Sequence, residues 1–293
     1  MIKGAYTALI TPFKENMKVD YKKLEELIEY QIGNEIDGLV ICGTTGESAT
    51  LSVSEKKKVL KFAIDKVAKR VPVIVGTGSN NTNSAIEMSK FAEHAGADGL
   101  LLVTPYYNKT TQKGLIEHFS AIAHSVHIPC ILYNVPSRTG VNIEPDTVSV
   151  LASIDNIVGI KEASNNFSKI AEMFTKVPNS FNIISGNDDS ILPLLSLGGT
   201  GVISVLSNIF PKEVHMLCKA YELGDVSYAK DIQLKFTPLI KALFAEVNPM
   251  PVKDALNILG FDVGRPRLPL TTVGLNTHEL LKQELDNIVL TNN

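Results

Sequence analysis

The 293-residue sequence has no tryptophan, only three cysteines and almost no charge imbalance, and each shortage excludes a class of protein. Cys42, Cys130 and Cys218 are far apart, odd in number and set among apolar neighbours. Neither a disulfide framework nor a cysteine zinc site is expected from them, and they read as small buried side chains. Lys plus Arg total 28 against 31 Asp plus Glu, for a formal net charge of −3. Without a clustered basic surface, nucleic acid is not an expected partner. No apolar stretch approaches the roughly 18 residues of a membrane span, and Met1-Ile2-Lys3-Gly4 does not open onto the apolar segment of a signal peptide. A cytoplasmic protein with no membrane partner is expected. The six histidines, His94, His118, His124, His127, His215 and His278, form no HExxH pair and stand beside no carboxylate cluster, so no metal is expected. The pair Gly76 and Gly78 lacks the third glycine of a dinucleotide fingerprint, and no glycine loop carries a Walker lysine. No cofactor is expected.

What the sequence does have is apolar runs of a particular length. With 44% hydrophobic residues it can bury a full core, and collagen-like, coiled-coil and disordered classes are set aside. Strands of a parallel sheet, covered on both faces, read as short continuous apolar runs. Eight occur: residues 5–12, 38–43, 71–76, 98–105, 128–136, 157–161, 181–186 and 201–207. Helical spacing lies between them. Asp20 can cap a helix whose Leu24, Leu27, Ile28 and Ile32 form one stripe, and Ser52 with Glu55 makes a capping box before Val59, Leu60, Ala63 and Val67. Residues 84–94, 113–125, 165–177 and 211–223 repeat the pattern. Alternating β and α segments leave an open doubly wound sheet or a closed barrel, and eight strands fit closure. The expected fold is an α/β (β/α)8 barrel over residues 1–224. Helical spacing in 225–246, 250–259 and 274–290, separated by prolines, predicts a C-terminal helical domain over 225–293.

In such a barrel the chemistry sits where strands end and βα loops begin. Lys161 ends the sixth run, where its amine would enter the barrel mouth. It can be a strand-end lysine paired with Glu162, or a desolvated amine that attacks a ketone or aldehyde. Lowering lysine from about 10.4 to about 7 or 8 corresponds to roughly 4 kcal/mol. Tyr133, near the end of the fifth run, is either packing or the proton carrier beside that lysine, with Thr44 and Tyr107 as available relay hydroxyls. Gly43-Thr44-Thr45-Gly46 reads equally as a glycine turn or as a nest for a carboxylate. Arg138 is either a solvated loop charge or a bidentate carboxylate clamp. The seventh run ends at Gly186-Asn187-Asp188. The glycines Gly198, Gly199 and Gly201 precede the eighth strand instead of following it, which disfavours a phosphorylated substrate.

Taken together, Gly43-Thr-Thr-Gly-Glu-Ser-Ala-Thr50, Val103-Thr-Pro-Tyr-Tyr-Asn108, Leu132-Tyr-Asn-Val-Pro-Ser-Arg-Thr-Gly140, Gly159-Ile-Lys-Glu-Ala163 and Gly201-Val-Ile-Ser204 resemble the dihydrodipicolinate synthase family of pyruvate-dependent class I aldolases. The resemblance spans essentially the whole chain. It implies that Lys161 forms an imine with pyruvate and that Tyr133 moves protons with Thr44 and with a Tyr107 entering from a neighbouring subunit. It further implies that Thr45, Gly186 and the backbone at Ile203 bind substrate, and that Arg138 meets the carboxylate of L-aspartate 4-semialdehyde. The product would be 4-hydroxy-tetrahydrodipicolinate, the first committed step towards diaminopimelate and lysine. A homo-oligomer is implied, a dimer or a tetramer built as a dimer of dimers. N-acetylneuraminate lyase and other keto-acid aldolases look similar at Tyr133 and Lys161, and a keto-acid sensor without turnover is a third reading.

The resemblance also carries an expectation about regulation. In lysine-inhibited members an effector site lies at a subunit interface, and Ser48, Ala49, Asn80 and Tyr106 match it. Val53 and Lys56 replace histidines and Ser84 replaces a glutamate, so weak or absent inhibition by L-lysine is expected.

Overall fold

The computed structural model describes residues 2–290, so Met1 and the last three residues of the expected C-terminal segment lie outside it. Eight strands close into one parallel barrel in sequence order: β1 (Gly4–Ala8), β2 (Gly38–Ile41), β3 (Val73–Gly76), β4 (Gly99–Val103), β5 (Cys130–Asn134), β6 (Ile157–Glu162), β7 (Asn182–Ser185) and β8 (Gly201–Ser204). Each expected run holds a strand. The strands are mostly shorter than the runs, because apolar residues continue past the hydrogen-bonded ladder into the loops.

The helices are α1 (Tyr21–Gly33), α2 (Val53–Val67), α3 (Thr82–His94), α4 (Gln112–Ala123), α5 (Pro136–Thr139), α6 (Pro145–Leu151), α7 (Phe167–Lys176), α8 (Ile191–Ser196), α9 (Pro211–Glu222), α10 (Val226–Leu243), α11 (Met250–Ile258) and α12 (Leu275–Leu290). Their starts follow local capping. Asp20 accepts from the backbone N–H groups of Lys22 and Lys23, and Ser52 and Glu55 close a reciprocal capping box. Two crossovers contain helices that the periodicity did not flag. Both α5 and α6 open on a proline at the first helical position and are too short to show a stripe, while α8 carries Pro193 inside six residues. The buried stripe of α1 also differs from expectation. Gln31 is fully buried and Ile32 only partly, because Gln31 bonds Thr7 and the Ser207 carbonyl.

Strand alternation sorts the core into two clusters. Inside the barrel lie Tyr6, Ala8, Val40, Ile74, Leu101, Ile131, Tyr133, Val135, Ile184 and Ile203. Between barrel and helices runs a larger cluster that also takes in Phe236, Leu239, Leu256, Leu281 and Leu285. The helices α10, α11 and α12 thus share one continuous apolar core with the outer layer of the barrel. The three cysteines are buried as expected, and burial pushes the thiols of Cys42 and Cys130 up to about 12. Among the described residues no helix is long and apolar enough to cross a membrane.

Candidate active site

The site is assembled at the C-terminal ends of the strands. In the β5–β6 register Tyr133 faces Lys161, and Asn134 faces Glu162 one step on. Alternation then separates the two pairs. Tyr133 and Lys161 turn into the barrel, with the Lys161 Nζ 4.5 Å from the centre of the Tyr133 ring. Glu162 turns outward, where it accepts from Asn134 Nδ2 at 2.9 Å and from the Ser164 backbone at 2.7 Å. The pairing of Lys161 with Glu162 is therefore not made.

Lys161 is 6% exposed, and burial lowers its ammonium to about 8. Arg138 lowers it further, while the carboxylate of Asp188 pulls the other way. Asp188, to which sequence reasoning gave no role, is fully enclosed. It accepts from Ser204 Oγ at 2.5 Å and from the Val205 and Leu206 backbone at 2.9 and 3.0 Å. Burial raises the Asp188 carboxyl and these donors oppose the rise. The Tyr133 phenol is also raised by burial, with Arg138 and Thr44 countering. At neutral pH it holds its proton and needs a partner to pass it on.

Gly186 lies against Lys161 directly. A β-carbon there would meet Ala163 Cβ at 2.7 Å and Lys161 Cε at 3.1 Å, so glycine leaves the lysine its room. The β7–β8 ladder ends at Ser185 and Val202, which puts Gly186 and Ile203 one step beyond the last pair. Thr44, Arg138, Val103 and Val135 line a cavity of about 320 Å³, and the Val135 wall packs with Tyr133. Tyr107 is not part of that lining. It is 92% exposed and in a left-handed backbone conformation (φ 71°).

Thr45 is buried and receives a hydrogen bond from Asn248 Nδ2 at 2.9 Å, while Arg138 Nη2 donates to the Asn248 carbonyl at 3.0 Å. The loop that carries both threonines is held by Glu47, in left-handed backbone at φ 53°. Its Oε1 accepts from Lys253 Nζ at 2.6 Å and its Oε2 from the Arg267 backbone at 2.9 Å. Sequence reasoning did not single out Asn248, Lys253 or Arg267. The one available signal was a pair of cations in a proline-rich segment.

A sequence model of the dihydrodipicolinate synthetase family matches residues 1–288. The chain belongs to that family. A 4-hydroxy-tetrahydrodipicolinate synthase of Clostridium tetani (strain Massachusetts / E88) is 55% identical over 291 residues, covering 99% of each chain. A crystal structure of dihydrodipicolinate synthase from Aquifex aeolicus superposes with a TM-score of 0.97 at 46% identity, covering 99% of each chain. A monomeric dihydrodipicolinate synthase variant superposes at 0.95 with 43% identity, covering 97% of this chain and 96% of that one. For the dihydrodipicolinate synthetase family the fold expected from the apolar runs is the fold found.

Proposed function

We propose that this chain condenses pyruvate with L-aspartate 4-semialdehyde to give 4-hydroxy-tetrahydrodipicolinate, as a lyase of the class I aldolase type in diaminopimelate and lysine biosynthesis. The observation that carries the reading is the buried amine of Lys161, brought to about 8 and seated over Tyr133. A lysine that sheds its proton near neutral pH is a nucleophile towards a ketone. The Lys161 amine adds to the pyruvate carbonyl, water leaves, and an imine remains. The imine draws electrons from the methyl carbon, a proton is lost, and the enamine attacks the aldehyde carbon of the second substrate. The amine of the adduct then attacks the imine carbon, which closes the ring and expels Lys161 as a free amine.

The other residues divide this work. Tyr133, with Thr44, moves protons during carbinolamine formation and dehydration, and its raised phenol acts first as an acid. Thr45 and the backbone at Ile203 hold the pyruvate carboxylate, and Gly186 keeps the space beside Lys161. Arg138 binds the carboxylate of the semialdehyde through its fork. Tyr107, exposed on its own chain, serves the site of a second copy, which makes the working unit a homo-oligomer, either a dimer or a tetramer built as a dimer of dimers. The division at residue 224 gives a catalytic barrel and a C-terminal helical domain that forms one wall of the site. We place the enzyme in the cytoplasm.

Borohydride added with pyruvate tests the first half-reaction, and a coupled assay with aspartate semialdehyde tests the second. Labelling of Lys161 together with turnover supports the synthase. Labelling without condensation would favour another keto-acid aldolase or a sensor, and no labelling would remove the imine. Arg138→Ala should impair condensation while leaving labelling largely intact, and equal damage to both would make Arg138 structural.

A further inference from the structure

Asn248, from the C-terminal helical segment, reaches the barrel loops through two separate groups. Its side-chain nitrogen donates to Thr45 Oγ1 at 2.9 Å, and its main-chain oxygen accepts from Arg138 Nη2 at 3.0 Å. Thr45 and Asn248 are both buried, and Asn248 lines the same cavity as Thr44 and Arg138. In the reading given above the two contacts lead to different substrates, Thr45 to the pyruvate carboxylate and Arg138 to that of the semialdehyde. Only the first contact depends on which side chain stands at position 248.

The direction of the side-chain bond decides what Thr45 can do. A hydroxyl carries one proton and turns it to suit its partners. Because Thr45 Oγ1 accepts from Asn248, its proton points away from the amide, and among the described residues no acceptor takes it. A buried hydroxyl held in this way is set to donate to an anion. The reversed amide would draw that proton onto Asn248 and leave a buried NH2 group without an acceptor, a costlier orphan than the enclosed, unpartnered Oδ1. The other anchors of the loop act elsewhere. Lys253 and the Arg267 backbone hold Glu47, which fixes the main chain two residues on and leaves the Thr45 hydroxyl to Asn248.

We infer that Asn248 is a positioning residue for the pyruvate half-reaction: its amide holds the Thr45 hydroxyl as an acceptor, so that the hydroxyl proton is aimed at the pyruvate carboxylate. The inference deepens the synthase reading and rests on its placement of pyruvate at Thr45. Arg138, bonded to the main chain of Asn248, lies outside this control.

The test reads two quantities on the whole enzyme. One is the pyruvate concentration that gives the half-maximal initial rate of borohydride labelling at Lys161, and the other is the KM for aspartate 4-semialdehyde at saturating pyruvate. Asn248→Ala should raise the first roughly 3- to 10-fold, the span of one neutral hydrogen bond, and change the second by less than about twofold, because the main-chain oxygen remains for Arg138. In a Thr45→Val background the same substitution should cost nothing more, since the amide acts through that hydroxyl. Equal rises in both quantities would mark a general structural role and overturn the inference. An unchanged pyruvate concentration, or a loss that persists in Thr45→Val, overturns it as well. Asn248→Leu keeps the shape without the donor and should match Asn248→Ala, and it decides alone if Asn248→Ala shows no cooperative unfolding in urea. If neither variant folds, Asn248 holds the fold and the inference falls. A parent enzyme that takes no label, or takes it without condensing the aldehyde, defeats the synthase reading instead, which is a separate outcome.

Discussion

Lys161 and Lys253 are both buried, and burial pulls both ammonium groups down from the ordinary lysine value, yet the two regions differ in what faces the charge. Lys253 has a carboxylate in contact, Glu47 at 2.6 Å, and its Nζ sits 4.1 Å from the centre of the Phe13 ring. Arg267 covers the same ring at 4.4 Å and pairs with Glu55, whose carboxyl it holds down at about 2. Every charge there has a partner, and the result is a fixed clamp between the Thr44–Thr45 loop and the C-terminal helices. Lys161 has an aromatic face and the more distant field of Asp188. Burial thus leaves a paired cation in one region and, where no carboxylate is in contact, an amine suited to the proposed nucleophilic role in the other.

The strongest way to break this contrast is to exchange the lysines' fates. Lys161→Ala should abolish both turnover and borohydride labelling with pyruvate, measured by peptide mass. Label appearing on Lys253 would show that the clamp also yields a free amine. Lys253→Met should instead act on stability. It strands the Glu47 carboxylate, at a cost of about 3–5 kcal/mol in urea unfolding, and Lys253→Met with Glu47→Gln should recover much of it. A single variant as stable as the parent would mean the pair contributes nothing.

Smaller effects sharpen the chemical side. Tyr133→Phe keeps the ring under Lys161 and removes the hydroxyl proposed to carry protons, so kcat should fall by roughly 10². Thr44→Val should lose less. An unchanged kcat would reduce Tyr133 to a packing surface for the ammonium. The labelling rate should also follow the charge on Lys161. The free amine reacts, so the rate should rise about tenfold per pH unit below the value of about 8 and level off above it. Asp188→Asn should move that curve to lower pH, because Asp188 favours the charged amine. A curve that stays flat from pH 6 to 9 would place the controlling ionisation elsewhere.

The smallest expected effect is none at all. A third lysine, Lys56, is half-buried in the cavity wall with Ser48, Ala49 and Tyr106, while Val53 and Ser84 are exposed. A cationic effector would meet Lys56 with a repulsion of up to about 4 kcal/mol if the two charges came close. We expect millimolar L-lysine to leave turnover unchanged in the coupled assay. Half-inhibition below that range would show that a charge in the wall is tolerated.

Several elements could be read directly from neighbouring residues. The Ser52–Glu55 box, the Asp20 cap and the eight apolar runs all rest on interactions within a few positions, and all are found. The helices at Pro145 and Ile191 escaped because a stripe needs more residues than they have. Lys161 was legible as an anomaly, a cation ending an apolar run. Its two readings could be separated only by the inward turn of Lys161 and the outward turn of Glu162.

By itself the sequence determined the barrel, its strand order and the loops at its strand ends, since period, capping and run length are local and survive without knowledge of partners. Only the tertiary structure decided that Tyr133 faces Lys161 across one register step, that Gly186 borders the lysine, and that Glu47 is a buried anion. It alone joined Thr45 to Asn248 and Glu47 to Lys253, pairs separated by 203 and 206 residues. Such contacts have no local signature. They exist because barrel closure and the packing of the C-terminal helices bring distant backbone together, and a polar side chain removed from water there must find its partner in the fold.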